Sequence, residues 1–271
     1  MKPTQPIRAV HGGSFFKAIG EDLRDLSIAP DVISADVLDA WYDPSPNVIH
    51  RIEEHLPWLI KTSPPTHGDG LRQTIAKTRG VPIESIVLGS GTSSLLYLAL
   101  PDLLVSDDTL IILDPSYGEY AHIGQTVIGC QVERIPLSLQ NFEPSVYDIV
   151  QQVRATPRAK MLAIVNPNSP TGVALSRDEV EEIVKSLTNV TIWIDETYID
   201  FFSYESGSSQ SVESLVRDYP NLIVCKSMSK FYALSGLRIG YLVASERLAS
   251  KWETHSPPWS VGLLAQLAGI E

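Results

Sequence analysis

From about residue 80 onward, short apolar runs alternate with segments of helical character, and this alternation most restricts what the chain can fold into. Residues 86–88, 110–113 and 161–165 are apolar throughout. Strands covered by helices on both faces have this composition, because neither face meets water. The chain is therefore predicted to adopt an α/β fold, in which a mostly parallel sheet carries helices on both faces.

Other segments extend the same pattern. Further strands are predicted for residues 130–137, 191–194, 222–225 and 238–243, and helices for residues 48–60, 95–104 and 177–187. The last of these helices follows a capping box, in which Ser176 precedes Glu179 by three positions. Residues 203–211 are polar and rich in Ser and Gly, so we expect a surface loop there. We divide the chain into an N-terminal arm with a linking helix, residues 1–60, and a large domain, residues 61–271.

The composition of the chain excludes several classes of function. With 44% hydrophobic residues and a mean hydropathy near zero, the 271 residues are typical of a soluble globular protein. The formal charge of −11, without a run of Lys and Arg, argues against a nucleic-acid surface. No stretch reaches the roughly 18 apolar residues of a membrane span, and residues 1–10 lack the apolar core of a signal peptide. Cys130 and Cys225 are expected to be reduced, buried thiols in a cytoplasmic protein.

Polar residues with useful chemistry follow three of the predicted strands. Residues 166–172 read Asn-Pro-Asn-Ser-Pro-Thr-Gly, and Asp195 ends another apolar run. Lys230 follows a third run, after two serine hydroxyls, and a second cation, Arg238, comes soon afterwards. A buried parallel strand would deliver the Asp195 carboxylate to the edge of the sheet. The sequence therefore favours a site that contains an acid, an amine and a second cation.

The order of these segments resembles that of the class I/II aminotransferases, which are fold-type I pyridoxal-phosphate enzymes. The family patterns read roughly N-P-x-N-P-T-G, D-E-x-Y and S-x-S-K followed by G-L-R-x-G-Y. Within the family the chain is most similar to histidinol-phosphate aminotransferases and threonine-phosphate decarboxylases, on the basis of residues 230–238, 258–261 and 11–13. The last two of these segments favour the decarboxylases. The resemblance covers roughly residues 30–271 and implies a cofactor at the carboxyl ends of the strands, with a homodimer as the assembly.

The resemblance assigns catalytic roles to three residues, with pyridoxal 5'-phosphate as the cofactor. Lys230 would form the internal aldimine with the cofactor and then move the α-proton. Asp195 would stand against the pyridinium nitrogen and favour its charged form. Tyr198 matches the phenol that donates a hydrogen bond to the phenolate oxygen of the cofactor.

The remaining implied contacts surround the phosphate, the ring and the substrate. Gly91, Thr92 and Ser93 match the phosphate turn at a helix start, where free N–H groups and the helix dipole favour an anion. The other implied cofactor contacts are Tyr117, which would stack on the ring, and Ser227, Ser229 and Arg238, which match further phosphate contacts. The segment His11-Gly12-Gly13 resembles the part of the decarboxylases that approaches the substrate.

Three features depart from the family pattern. The residue before Pro-Thr-Gly is Ser169 rather than Asn, and the nearest Asn is Asn168, so either side chain is a candidate for the phenolate contact. Residues 63–65 read Ser-Pro-Pro where the family has a Tyr-Pro-Asp segment that crosses the dimer interface. Family members continue for roughly another ninety residues with a small C-terminal domain, which we expect to be missing from this chain.

The main functional prediction is a pyridoxal-phosphate-dependent aminotransferase that acts on a small amino acid, a phosphorylated amino acid or an amine. The close alternative is decarboxylation of a phosphorylated amino acid, because both reactions begin in the same way at Lys230. A third interpretation is a truncated relative that binds the cofactor or a partner subunit without turnover.

Other classes of site fit the sequence less well. Ser227-x-x-Lys230 also occurs in penicillin-recognising hydrolases, but the Ser-Asp-Asn and Lys-Thr-Gly motifs that these enzymes require are absent. Gly89-Ser90-Gly91 begins a dinucleotide fingerprint whose third glycine is replaced by Ser94. His50 and His55 are five positions apart, which is not a helical metal-ligand spacing, so no metal is expected.

Overall fold

A seven-stranded sheet lies at the centre of the computed structural model, which describes residues 11–271. Residues 1–10, which the sequence assigns to the N-terminal arm, lie outside the described residues. The strands are Ile86–Gly89 (β1), Thr109–Asp114 (β2), Gln131–Pro136 (β3), Ala159–Val165 (β4), Thr191–Asp195 (β5), Leu222–Ser227 (β6) and Gly240–Val243 (β7). Their order across the sheet is β1-β7-β6-β5-β4-β2-β3. All pairs are parallel except those of β7, so the predicted mostly parallel sheet is confirmed.

Helices cover both faces of this sheet, as predicted. The α-helices are Phe16–Ile19 (α1), Pro46–Lys61 (α2), Asp69–Arg79 (α3), Gly91–Leu103 (α4), Gly118–His122 (α5), Val146–Ala155 (α6), Arg177–Ser186 (α7), Ile199–Ser206 (α8), Glu246–His255 (α9) and Leu263–Ile270 (α10). Helix α5 continues into a π-helical turn, Ile123–Ile128, and short 3₁₀ turns occur at Ala29–Asp31, Ile83–Ser85, Glu213–Arg217 and Ser235–Leu237. None of the helices in the described part of the chain is long and apolar enough to span a bilayer.

Strand periodicity divides the core into two layers. Ile192 and Ile194 belong to the apolar layer that includes α3, α6 and α7, whereas Trp193 between them belongs to the layer with α4, α5 and α9. Successive side chains of a strand point to opposite faces, so β5 needs apolar residues at every position. Cys130 and Cys225 are free thiols and are buried in the second layer, as the sequence indicates.

Most of the predicted elements are confirmed, and one prediction was wrong in part. The capping box forms as predicted, because the backbone N–H of Ser176 donates to Glu179 Oε2 at 2.7 Å. Residues 203–211 were predicted to be a loop, but residues 203–206 form the last turn of α8, and only residues 207–211 lie outside helix and strand. The helix begins upstream at Ile199, which is fully buried, and the polar residues lie on its outer side. The polar composition of residues 203–211 therefore indicated that these residues are largely exposed, but it did not show where the helix ends.

Strand β7 runs opposite to its neighbours, which the alternation of segments did not predict. It pairs antiparallel with both β6 and β1, with Ser227 opposite Gly240. The connection from Ser227 to Gly240 contains only the 3₁₀ turn Ser235–Leu237 and no helix that crosses the sheet. A direct return of this kind produces an antiparallel pair. As a result, Lys230 and Arg238 lie on one loop at the carboxyl end of β6.

A buried ionic cluster connects β6 to α3, to α8 and to the residue that follows β5. The Lys226 side chain is 1% exposed, and its Nζ lies 3.4 Å from Glu196 Oε2 and 3.3 Å from Asp200 Oδ2. Arg79 of α3 donates to both oxygens of Asp200 at 3.0 Å. Burial lowers the pKa of the Lys226 ammonium, but Glu196, Glu213 and Asp200 raise it more, so the net pKa is above the ordinary value. Lys226 is therefore a structural cation that balances buried carboxylates.

We expect Lys226→Met to lower the free energy of unfolding by about 3–5 kcal/mol, because it removes the cation that pairs with Glu196 and leaves Arg79 alone to balance the buried carboxylates of the cluster. Urea unfolding at neutral pH measures this loss. The matched control is Lys185→Met, since the Lys185 side chain is 57% exposed and pairs with Glu181 on the surface of α7. Its loss should be at most about 1 kcal/mol. Equal losses in the two variants would contradict the assignment of Lys226 to a buried ionic cluster.

Candidate active site

A cavity of about 430 Å³ lies at the carboxyl ends of the central strands. Most of the residues that the sequence singled out line it: His11, Gly12, Thr92, Ser93, Tyr117, Ser169, Asp195, Tyr198, Ser227, Ser229, Lys230 and Arg238. Of the predicted site residues, Gly13, Gly91 and Asn168 are not among the lining residues. Sequence reasoning did not single out five further lining residues: Asp36, Val37, Leu38, Val165 and Thr197. The fold thus brings the ends of five strands, β1, β2, β4, β5 and β6, and the N-terminal segment to one place.

Asp195 is the buried acid of this cavity. Its Oδ1 accepts from the backbone N–H and the hydroxyl of Thr197 at 3.0 and 2.7 Å, and its Oδ2 accepts from the Tyr120 hydroxyl at 2.7 Å. Burial raises the pKa of Asp195, and the bonds from Thr197 and Tyr120 and the charge of Lys226 oppose it without reversing it. A carboxylate oxygen has two acceptor positions. Oδ2 therefore keeps one for a donor inside the cavity.

Lys230 is the amine of the cavity and pairs with an acid that the sequence did not reveal. Its Nζ lies 2.9 Å from Asp39 Oδ1. Burial raises the pKa of the Asp39 carboxyl, but hydrogen bonds from Lys230 and Ser235 and the charge of Arg238 leave it below its ordinary value. Asp39 belongs to an irregular segment without helix or strand, far from Lys230 in sequence, so no periodicity marks it.

The start of α4 and the Arg238 side chain form a cationic cradle. Ser90 precedes α4 and makes no side-chain cap, which leaves the first N–H groups of the helix without a side-chain acceptor. Gly91 has a φ of +76°, and a Cβ there would overlap the Arg238 guanidinium. Arg238 Nη1 donates to the Ser235 carbonyl at 3.0 Å and lies 3.5 Å from Ser229 Oγ. Gly91 thus contributes space for the guanidinium, and the cradle suits an anion.

Two phenols, Tyr117 and Tyr198, face the cavity. Burial, with the nearby charges of Glu119 and Asp195, raises the pKa of Tyr117 to about 12. Burial, Asp195 and Asp39 raise the pKa of Tyr198 to about 12. Both hydroxyls therefore keep their protons at neutral pH and can donate hydrogen bonds.

The structure separates the neighbours Asn168 and Ser169. Ser169 lines the cavity. The Asn168 amide group donates instead to the Pro115 carbonyl at 2.9 Å and to the Thr171 hydroxyl at 3.0 Å, and its Oδ1 is buried without a partner. Asn168 therefore stabilises the turn through contacts outside the cavity, whereas Ser169 faces the cavity.

The His11-Gly12-Gly13 segment is held against the cavity by Asp36. The backbone N–H of Gly13 donates to Asp36 Oδ2 at 3.0 Å, and a Cβ at Gly12 would overlap the Asp36 carbonyl oxygen. The His11 ring lies near Tyr117, and His11 Nε2 is 2.9 Å from Glu119 Oε2. The buried Glu119 carboxylate thus holds the His11 ring at the wall of the cavity.

Sequence comparison identifies the family of the chain. The family model for aminotransferase class I and II matches residues 34–270. The chain is 31% identical over 216 residues to the histidinol-phosphate aminotransferase of Acinetobacter baumannii, covering 79% of the chain and 56% of that protein. It is 29% identical over 230 residues to the same enzyme from Staphylococcus epidermidis, covering 84% of the chain and 63% of that protein. The chain therefore spans little more than half the length of these relatives.

Solved structures agree with this result. The histidinol-phosphate aminotransferase of Clostridium acetobutylicum superposes with a TM-score of 0.73 at 26% identity, covering 86% of the chain and 66% of that structure. The L-threonine-O-3-phosphate decarboxylase of Porphyromonas gingivalis gives a TM-score of 0.70 at 24% identity, covering 85% and 68%. The second likeness shows a shared fold. With the family model matching most of its length, the chain belongs to the class I and II aminotransferase family.

Proposed function

We propose that this chain carries the cofactor site of a pyridoxal-phosphate-dependent aminotransferase that acts on a small amino acid, a phosphorylated amino acid or an amine. The observation that carries the proposal is one cavity lined by both Asp195 and Lys230, with the Arg238 cradle beside them. An acid, an amine and an anion cradle are the three groups that this cofactor requires of a protein.

The donor and acceptor chemistry of the cavity fits pyridoxal 5'-phosphate. Asp195 Oδ2 has an acceptor position left after its bond from Tyr120, which suits a ring N–H. The uncapped start of α4, with Thr92, Ser93 and Arg238, suits a phosphate dianion. The cofactor would supply an aromatic ring that accepts electron density from the α-carbon of the substrate.

Each residue then has a role that its surroundings support. The buried Asp195 carboxylate would accept a hydrogen bond from the ring N–H, and a positive charge there would offset the cost of its burial. Lys230 would supply the amine that holds the cofactor, and its Nζ is the group of the cavity that would accept and return the proton of the substrate. Tyr198 donates from a phenol that keeps its proton, and Ser169 and Tyr117 complete the wall around the ring.

Decarboxylation of a phosphorylated amino acid is the second candidate reaction. The observation that favours it is the position of His11, which lines the cavity with the Glu119 carboxylate behind it. A histidine held in this way can meet an anionic group of the substrate. The third candidate, a relative that binds without turnover, shares the same cofactor site.

We also propose a homodimer, working in the cytosol. Support for the dimer comes from large apolar side chains that the described residues leave exposed: Trp41 at 96%, Ile33 at 87% and Ile60 at 68%. Large apolar surface left exposed to this degree is typical of protein interfaces. The two free, buried thiols support a reducing compartment.

Lys230→Ala should abolish covalent attachment of pyridoxal phosphate. The wild-type chain, incubated with the cofactor and desalted, is expected to show a visible absorption band that borohydride removes. The variant should lose this band because no other lysine lines the cavity in the described residues. Lys185→Ala is the control. An identical band in the Lys230 variant would disprove the assignment.

Arg238→Gln should weaken binding of pyridoxal phosphate roughly tenfold to a hundredfold, because a hydrogen bond to a charged group contributes about 1.5–3 kcal/mol. Affinity for pyridoxal, which lacks the phosphate, should change little. Equilibrium dialysis of both compounds measures the difference. Arg158→Gln is the control, since Arg158 precedes β4 at the opposite edge of the sheet. Parallel losses for the two compounds would show that Arg238 does not contact the phosphate.

The products separate the candidate reactions. With a set of amino acids, phosphorylated amino acids and amines as donors and a keto acid as acceptor, the protein should convert a donor to its carbonyl product without releasing carbon dioxide. Chromatography and carbon dioxide capture measure the two outcomes. Carbon dioxide release would favour decarboxylation, and cofactor binding without either product would favour the non-catalytic relative.

A further inference from the structure

A chain of two buried hydrogen bonds stands behind Asp195. The indole N–H of Trp193 donates to the Tyr120 hydroxyl oxygen at 2.9 Å, and that hydroxyl donates to Asp195 Oδ2 at 2.7 Å. Trp193 is 0% exposed and Tyr120 is 1% exposed. Trp193 and Asp195 are two positions apart on β5, so they point to the same face, which α5 covers with Tyr120.

The chemistry of the indole gives this chain one direction. An indole N–H can donate but never accept a hydrogen bond. Since Trp193 points its proton at the Tyr120 oxygen, the single phenolic proton of Tyr120 is left for Asp195. Burial and the Asp195 charge raise the pKa of Tyr120 well above its ordinary value, so the phenol stays protonated. Tyr120 is therefore a permanent donor to the carboxylate.

The Tyr120 bond differs from the other bonds of Asp195. Thr197 supplies both donors to Oδ1 from two residues away on the same chain segment. Tyr120 is the donor to Oδ2, and it comes from α5 on a separate part of the fold. Oδ2 is also the oxygen with an acceptor position left for the cavity. The Tyr120 bond, acting on the opposite oxygen from the two Thr197 bonds, completes the restraint on the rotation of the carboxyl group and on the direction of that position.

We propose that Trp193 and Tyr120 are positioning residues that keep Asp195 ionised and aimed at the ring nitrogen of the cofactor. The inference rests on the proposed function, and neither residue belongs to the motifs that mark the family. Replacing Tyr120 by Phe removes a donor that stabilises the ionised carboxylate more than the protonated acid. Protonation of Asp195 then becomes easier, and its attraction for a protonated ring nitrogen is lost at a higher pH.

Several titratable groups surround Asp195 and contribute to any pH profile. From α5 and its N-cap these are Tyr117, Glu119 and Tyr120; from β5 and the turn after it, Glu196 and Tyr198; and from β6, Cys225 and Lys226. Burial raises the pKa of Tyr117, Tyr198 and Cys225, which therefore stay neutral in the acid range. Because all of these groups except Tyr120 itself are the same in every variant, the comparison isolates the hydrogen-bond chain from Trp193 through Tyr120 to Asp195.

The test compares Tyr120→Phe and Trp193→Phe with the control Trp252→Phe. Trp252 is also fully buried, and its indole N–H also donates to an acid, Asp102 Oδ2, at 3.0 Å, but on α9 away from the cavity. Binding to the apoprotein is measured against pH for two probes, pyridoxal phosphate and its analogue with CH in place of the ring nitrogen. Urea unfolding of each apoprotein establishes that it is folded.

Tyr120→Phe should weaken binding of pyridoxal phosphate about tenfold at neutral pH and move the acid-side midpoint of binding upward by about one unit. Trp193→Phe should act in the same direction with a smaller change, because Tyr120 keeps its hydroxyl and loses only the indole N–H that orients it. Neither variant should change binding of the nitrogen-free analogue, and Trp252→Phe should change nothing. This selectivity for the ring nitrogen would support the positioning role of Trp193 and Tyr120.

Two results would overturn the inference. Equal losses for both probes would show that the substitutions only disturb the shape of the cavity. Behaviour of both Phe variants like that of the Trp252 control would show that the hydrogen-bond chain has no influence on Asp195. If the wild-type chain fails to bind pyridoxal phosphate, the proposed function is wrong, and the positioning role of Trp193 and Tyr120 is wrong with it. The first two results, by contrast, leave the proposed cofactor site intact.

Discussion

The shared direction of β4, β5 and β6 is the constraint on which the site depends. The carboxyl ends of parallel strands lie at the same edge of a sheet. The residues that come directly after these strands are therefore close in space although they are far apart in the sequence. Asp195 ends β5, and Lys230 follows β6 on the loop that turns back into β7. The start of α4 reaches the same edge from β1, and the Arg238 side chain closes over it. One geometric rule therefore collects an acid, an amine and an anion cradle.

Opposite faces of β5 give two adjacent carboxyl groups different surroundings. Asp195 lies on the side of Tyr120, lines the cavity, and accepts hydrogen bonds from the neutral donors Tyr120 and Thr197. Glu196, the next residue, accepts from Ser211 and lies beside Lys226 in the buried ionic cluster. Because successive side chains of an extended segment point to opposite faces, one carboxyl group lies at the cavity and the next lies in the buried ionic cluster.

Local patterns in the sequence were enough to predict the strands, and the resemblance to the family named most of the residues that line the cavity. The apolar runs indicated the strands, and the motifs after them located residues such as Asp195 and Lys230. Contacts between distant segments carried no such signal. Asp39 comes from an irregular stretch, Tyr120 belongs to a short helix, and both reach the site only through tertiary packing. The direction of β7 was also missed, because a run of apolar residues does not reveal which way its strand will run.

The pairing of β7 also has a consequence for the order in which the protein is assembled. Strand β1 has only one neighbour in the described sheet, and that neighbour is β7, whose residues 240–243 are made long after residues 86–89. During synthesis, β1 therefore has no partner strand until residues 240–243 have been made. The turn at Gly91 that follows β1 acquires its Arg238 neighbour at the same late stage. A nascent chain that stops before that point lacks both the partner of β1 and the guanidinium of the anion cradle.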